Sequence, residues 1–183
     1  MNKNIIISLK YLVVSILLFG LMYTLVITAI GHILFNHKVN GSLIEKDGIV
    51  IGSRLIEQKF SAPKFFWGRP SASNYETVPS GASNYGAIST DLKKQVNDRM
   101  QNLKQFDPGL KIQDIPPELL FASGSGLDPD ISQQAALFQV DRVVKARSLK
   151  EPDRAKIVAL IKRQPMVNVL ELNLNLEKVL NGK

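Results

Sequence analysis

The chain has 183 residues, with 23 Lys and Arg against 16 Asp and Glu, two His and no Cys. That length accommodates one packed domain, and the absence of Cys excludes thiol catalysis, thiolate metal sites and a disulfide framework, while fitting an exported domain. The positive charges are scattered among acids, whereas nucleic-acid binding calls for a concentrated basic face with interleaved aromatics, so no nucleic-acid partner is expected.

The first element is the stretch Tyr11–Phe35, 25 residues without one Asp, Glu, Lys or Arg. As a helix it would extend roughly 37 Å, more than the ~30 Å of a bilayer core. A cleaved secretory signal would have a shorter apolar stretch and a small-residue cleavage site. Here Ala29 is the only Ala nearby, so the stretch reads as a retained single transmembrane helix in contact with lipid. Lys3, Lys10 and the amino terminus precede it, and Lys38 and Lys46, offset by Glu45 and Asp47, follow it. That slight bias assigns residues 1–10 to the cytoplasm, 11–35 to the membrane and 36–183 to a single extracytoplasmic domain. Gly20, Thr24, Thr28 and His32 recur every four residues, and small and hydroxyl residues on one stripe admit a partner helix. His32, near the outer end, reads as interfacial.

Beyond the span, Gly48–Phe60 reads as β, from the β-branched Ile49, Val50 and Ile51. Ser61–Gly86 is rich in Ser, Asn, Pro and Gly, with Phe65, Phe66, Trp67, Tyr75 and Tyr85 inserted. A loop of that length is functional or disordered, and the aromatics argue for order. Ser89 caps a helix running to about Phe106, with Leu92, Val96, Met100 and Leu103 on one face. Pro116-Pro117-Glu118 starts a short turn, and a second polar loop covers Phe121–Asp130. Ser132 caps a helix from Gln133 to about Ser148, and a third helix spans about Pro152 to Arg163. In Val167–Glu177, Leu170, Leu172, Leu174 and Leu176 alternate with polar residues, which predicts a half-buried strand. The sum is an α+β chain: one transmembrane helix, then a domain of about three helices and a small, mainly antiparallel sheet.

The catalytic inventory is thin. His32 and His37 both lie at or beside the span, and neither a Gly-x-Ser-x-Gly elbow nor a clustered carboxylate or His pattern is present, so no catalytic residue and no metal ligand are assigned. The sharpest local signal is Ser123-Gly124-Ser125-Gly126-Leu127-Asp128-Pro129. Its glycines can turn the backbone tightly and aim successive N–H groups at an anion, with a helix N-terminus following. The alternative is a loop whose Ser and Asp side chains satisfy its own backbone. The Lys of a P-loop is missing. In Gly68-Arg69-Pro70, Arg69 offers a fork to a carboxylate on another subunit or within the domain, and Trp67 beside it is either an interface anchor or a pin for its own loop.

These stretches carry a resemblance. Phe65-Phe66-Trp67-Gly68-Arg69-Pro70-Ser71-Ala72, Ser80–Gly86, Ala122–Pro129, Gln139-Val140 through Ala146-Arg147, and Val167–Leu174, in that order behind one N-terminal span, resemble the C subunit of the bacterial Kdp potassium-transporting P-type ATPase. The chain departs from that pattern at Ala82, Tyr85 and Ala87, and at Asp130, where the family often has His. The resemblance implies a non-catalytic subunit accompanying an ATP-hydrolysing subunit, a channel-like potassium-binding subunit and a small single-span subunit. It also implies a catalytic chaperone that raises the ATP affinity of the ATP-hydrolysing subunit. No cofactor is expected to be firmly bound, but ATP would be met in a transient ternary complex, with Ser123, Gly124, Ser125, Gly126 and Asp128 as the nucleotide loop and Gly20, Thr24, Thr28, Trp67 and Arg69 as partner contacts. The Asp-Lys-Thr-Gly phosphorylation motif of the pump itself is absent. An external domain would stand where ATP is scarce, so a role in capping the channel-like subunit and stabilising assembly is the expectation that fits the charge bias. The competing readings are a membrane-anchored envelope hydrolase and a stand-alone binding module.

Overall fold

The computed structural model describes residues 2–181 and divides into two compact units, residues 1–43 and 44–183. In the first, a continuous helix covers Lys3–Leu34, long and apolar enough to cross a membrane by length and composition. It is α-helical over Lys3–Ser15 (α1) and Tyr23–Leu34 (α2), with a π-helical stretch at Ile16–Met22 between them. The Thr24 hydroxyl donates to the Gly20 carbonyl (2.7 Å), so this rung of the small-residue stripe serves its own helix. A short helix α3 (Asn36–Val39) follows, and the His37 ring lies 3.2 Å from the Leu43 carbonyl.

From Leu43 onward, β1 (Leu43–Lys46) and β2 (Ile49–Ser53) form a hairpin. Its two-residue turn, Asp47-Gly48, takes positive φ at both positions (54° and 78°), the conformation that matches strand twist and that Asp-Gly favours. The strand expected to reach Phe60 stops at Ser53, whose hydroxyl accepts the Leu55 N–H (3.1 Å) and turns the chain away. Residues 54–89 then run without helix or strand. Helix α4 (Thr90–Lys104) begins where expected, with the Ser89 hydroxyl accepting the Leu92 N–H, and buries Val96 and Leu103. The expected Gln133–Ser148 helix is two helices, α5 (Gln133–Phe138) and α6 (Val140–Ala146), broken at Gln139. Helix α7 spans Glu151–Ile161. Strand β3 (Asp130–Ser132) pairs antiparallel with β4 (Met166–Asn168), Ile131 opposite Val167. The α+β class and the antiparallel pairing hold, as two separate two-stranded sheets.

The largest departure is at the C-terminal end. The strand predicted for Val167–Glu177 is confined to β4, and helix α8 occupies Val169–Asn181. Alternating leucines satisfy a strand, but Val169, Leu172 and Leu176 also fall three to four apart, and all three are buried. The deciding signal is Asn168, whose side-chain oxygen accepts the Glu171 N–H (3.1 Å), an N-cap with an acid three residues on. In the helix, Asn173 turns inward, which strand alternation would have placed in solvent; it is 3% exposed. Its side chain accepts the Phe66 N–H (2.8 Å) and donates to the Phe66 carbonyl (3.0 Å). Phe66 is itself fully buried in the core with Ile131, Val143, Ile157, Ile161 and Leu176.

Asn173→Ala strands a buried N–H and a buried carbonyl together, so it is expected to cost about 2–4 kcal/mol, read as a lower urea midpoint for the full chain in detergent. An exposed strand position would tolerate the same change with little effect.

Candidate functional site

The two polar loops singled out in the sequence lie against each other. The Ser123 N–H donates to the Pro70 carbonyl (3.0 Å), the Ser80 hydroxyl to the Ser125 carbonyl (2.6 Å), and the Glu57 N–H to the Leu127 carbonyl (3.0 Å). Gly126 has φ +75°, and a Cβ there would lie 2.8 Å from the Gly81 carbonyl oxygen and 2.9 Å from the Ser73 hydroxyl. Only Gly permits both that conformation and that approach. Arg69 completes the clasp through an ion pair to Asp128, Nη1 to Oδ2, at 2.8 Å. The fork expected to reach a carboxylate on another subunit or within the domain takes one within it.

The glycine loop spends much of its polar chemistry on itself. The Ser125 hydroxyl accepts the Leu127 N–H (3.1 Å), and the second Asp128 oxygen accepts the Asp130 N–H (3.2 Å). Gly124 faces open space. The helix N-terminus that was to add its dipole to an anion site is separated from the loop by β3. It is also already served: Ser132 caps α5 by accepting the Ala135 N–H (3.1 Å), and the Glu118 carboxylate accepts both the Ser132 N–H (3.0 Å) and the Ser132 hydroxyl. A carboxylate therefore stands where a phosphate would gain most from the dipole.

Trp67 lies in a second cluster. The Gln139 side chain accepts the Trp67 N–H (2.8 Å) and donates to its carbonyl (2.9 Å). The Arg142 guanidinium stacks 3.8 Å from the Trp67 ring centre, and Phe106 meets the ring edge-on at 5.6 Å. Arg142 donates to the carbonyls of Pro63 (2.7 Å) and Phe65 (3.0 Å) and to Gln139 (2.6 Å). Burial pushes it down to about 10, which leaves it cationic at neutral pH. Beside this cluster opens a groove of about 740 Å³, walled by Phe106, Leu110, Leu137 and Phe138 and edged by Arg142 and Lys145.

Sequence reasoning missed Glu57, Gln139 and Arg142. Gln139 and Arg142 lie in a stretch that carried the resemblance, yet their spacing gives no hint that both reach 60s-loop backbone. Glu57 sits in an unremarkable polar run but is only 4% exposed. Burial, and then the nearby Asp128 carboxylate, push its carboxyl up to about 8; the Arg69 main-chain N–H and guanidinium pull the other way but only in part. Neither carboxyl oxygen makes a hydrogen bond of ordinary geometry among the described residues. Nor do three or more His, Cys, Asp or Glu converge on a metal-sized site there.

The unfolded chain releases the Glu57 proton near the ordinary value of 4.5, while the folded chain holds it to about 8. Between these values the folded state binds more protons, so its stability is full below pH 4.5 and falls as pH rises to 8. Glu57→Gln is expected to flatten that decline and to exceed the wild type by about 1–3 kcal/mol at pH 8.5, measured by urea unfolding across the pH series.

Comparison with known proteins places these elements in a family. The family model described as "K+-transporting ATPase, c chain" matches residues 5–178. A potassium-transporting ATPase KdpC subunit of Caldanaerobacter subterraneus subsp. tengcongensis is 39% identical, with 96% of this chain and 95% of the relative aligned. KdpC subunits of Burkholderia mallei and Burkholderia pseudomallei are each 44% identical over 90% of this chain and 91% of theirs. The match runs from the apolar helix through both clasped loops to α8, and the chain belongs to the KdpC family, the c chain of the K+-transporting ATPase.

Proposed function

We propose that this chain is a non-catalytic accessory subunit of a high-affinity, ATP-driven potassium transport complex, anchored by the apolar stretch over residues 11–35, with residues 1–10 in the cytoplasm and residues 36–183 outside. Its partners are the ATP-hydrolysing subunit, the channel-like potassium-binding subunit and the small single-span subunit, with lipid around the helix. The observation that carries this reading is the clasp. Residues expected as a nucleotide loop and as partner contacts are in large part spent on fixing two loops to one another, which suits a contact surface and not a reaction centre. That weighs against the envelope-hydrolase reading. The end-to-end family match weighs against a stand-alone binding module.

The chain raises the ATP affinity of its partner, in this reading, by contact with the assembly and not by holding nucleotide firmly. The Ser123 N–H and the Asp128 carboxylate are committed to Pro70 and Arg69, the Ser123 side chain is fully buried, and Gly126 has no room on the side of Gly81. What stays open for a transient ternary complex with ATP is the exposed Gly124-Ser125 corner. Of the expected partner contacts, Gly20 and Thr28 on the helix remain candidates, as does Thr24 by its methyl group. Trp67 and Arg69 act by shaping the surface around them.

Deleting the chain is expected to abolish co-purification of the ATP-hydrolysing and channel-like subunits, or the potassium-stimulated ATPase activity of the complex. Wild-type uptake at micromolar potassium without the chain would refute the proposal. Placement is tested by Ser125→Cys, a single exposed thiol in a chain with no Cys. A membrane-impermeant maleimide is expected to label it in intact spheroplasts. Labelling only after membrane disruption would reverse the orientation.

A further inference from the structure

The clasp contains buried polar atoms that lack a hydrogen-bond partner among the described residues: both carboxyl oxygens of Glu57, Nε of Arg69 and Oγ of Ser123. Glu57 and Ser123 are 4% and 0% exposed. Unmade bonds of this kind are rare in folded interiors and call for an account. The Glu57 carboxyl lies on the main chain of Gly68, where a Cβ would fall 1.6 Å from Oε1, next in sequence to Arg69. Arg69 gives Nη1 to Asp128, while the Nε edge of the same planar fork is unused. One guanidinium therefore serves one of the two carboxyl groups that act on it, and leaves idle an edge that a second carboxylate can take.

We propose that Glu57 is a proton-held latch on the clasp: as the neutral acid it leaves Arg69 to Asp128, and as the carboxylate it draws Arg69 to itself and frees the 122–129 loop. The proton passes to bulk water, and no other group changes charge. The charged and titratable groups that act on Glu57 are Asp128 from the glycine loop and Arg69 from the 60s loop, and Glu57 and Arg99 in turn both act on Tyr75. Tyr75 stays neutral, its phenol pushed up to about 12 by burial first and then by Glu57. Arg99 stays cationic although burial lowers it. Ionised Glu57 thus meets one anion, Asp128, and one nearby cation, Arg69, whose single charge must then serve two carboxylates that repel each other, and this weakens the Arg69–Asp128 pair. The value of about 8 puts the switch on the mildly alkaline side of neutrality.

The latch belongs to this chain alone and stands apart from the accessory-subunit reading. It is tested on the full chain in detergent micelles with ¹³C-carboxyl-labelled Glu, the Glu57 resonance being assigned by its loss in Glu57→Gln. Hydrogen-exchange protection of the Glu57 and Ser123 amides, which bond to Leu127 and Pro70, is followed between pH 6.5 and 9. The expected result is one Glu carboxyl titrating near 8, with protection of both amides falling about tenfold or more in the wild type and staying level in Glu57→Gln. A Glu57 carboxyl that titrates below pH 5 overturns the latch, and if the variant does not fold, wild-type protection of the two amides across the same pH range decides it without the variant. Protection that is level in the wild type, or that falls equally in Glu57→Gln, overturns it as well.

Discussion

The domain depends on how the main-chain N–H and carbonyl groups of two consecutive residues, Phe66 and Trp67, are held. Residues 54–89 have no helix or ladder to satisfy their main chain, yet Phe66 is fully buried. A buried peptide group without partners costs several kcal/mol, so each must find a donor and an acceptor. Two carboxamides supply them. Asn173 of α8 brackets the N–H and carbonyl of Phe66, and Gln139, at the break between α5 and α6, brackets those of Trp67. A carboxamide carries a donor and an acceptor side by side, as a neighbouring strand does, so each stands in for one rung of a sheet. Arginines extend the pattern: Arg142 reaches the carbonyls of Pro63 and Phe65, and Arg147 that of Lys64 (2.6 Å) while pairing with Glu177 at 2.7 Å.

This explains which parts of the fold could be read in the sequence. Elements fixed by local rules were legible: the apolar span, the Ser89 and Ser132 caps, the amphipathic face of α4, and the order imposed on the 60s loop by its aromatics. Elements fixed by what lies across the core were not. Leu170, Leu172, Leu174 and Leu176 alternate, and nothing local says that Asn173 must face inward to meet Phe66. A polar residue at a buried position breaks the pattern from which helix and strand are told apart. The Asn168 cap was the one local cue, and the stronger alternation masked it. Gln139 is a similar case, since it sits at the break between α5 and α6 and nothing local says that its side chain reaches Trp67, 72 positions away.

For the candidate site, the residue types and the two segments were legible, but their meeting was not. Arg69 and Asp128 are 59 positions apart, and Glu57 reaches the same place from a third segment. Serines and glycines that looked like an anion cradle are in large part the means by which one loop lies on another without stranding its backbone. Chemistry of this sort looks alike in sequence whether the N–H groups face a phosphate or a neighbouring carbonyl.

A surface built in this way has a definite mechanical character. Ladder hydrogen bonds are replaced by side-chain brackets drawn from several helices, so the 60s segment keeps its shape only while α5, α6 and α8 keep theirs. Buried polar brackets contribute little net stability, because each replaces bonds to water. A mispacked alternative, however, would leave both the carboxamide and the peptide unpaired, which penalises every arrangement but one. The same logic places the weak point at Glu57, the one buried acid in the clasp whose oxygens no bracket reaches. Among the unpaired atoms of the clasp, which also include Arg69 Nε and Ser123 Oγ, the Glu57 carboxyl is the acid, and so the one able to change charge without the carboxamide brackets of the core following.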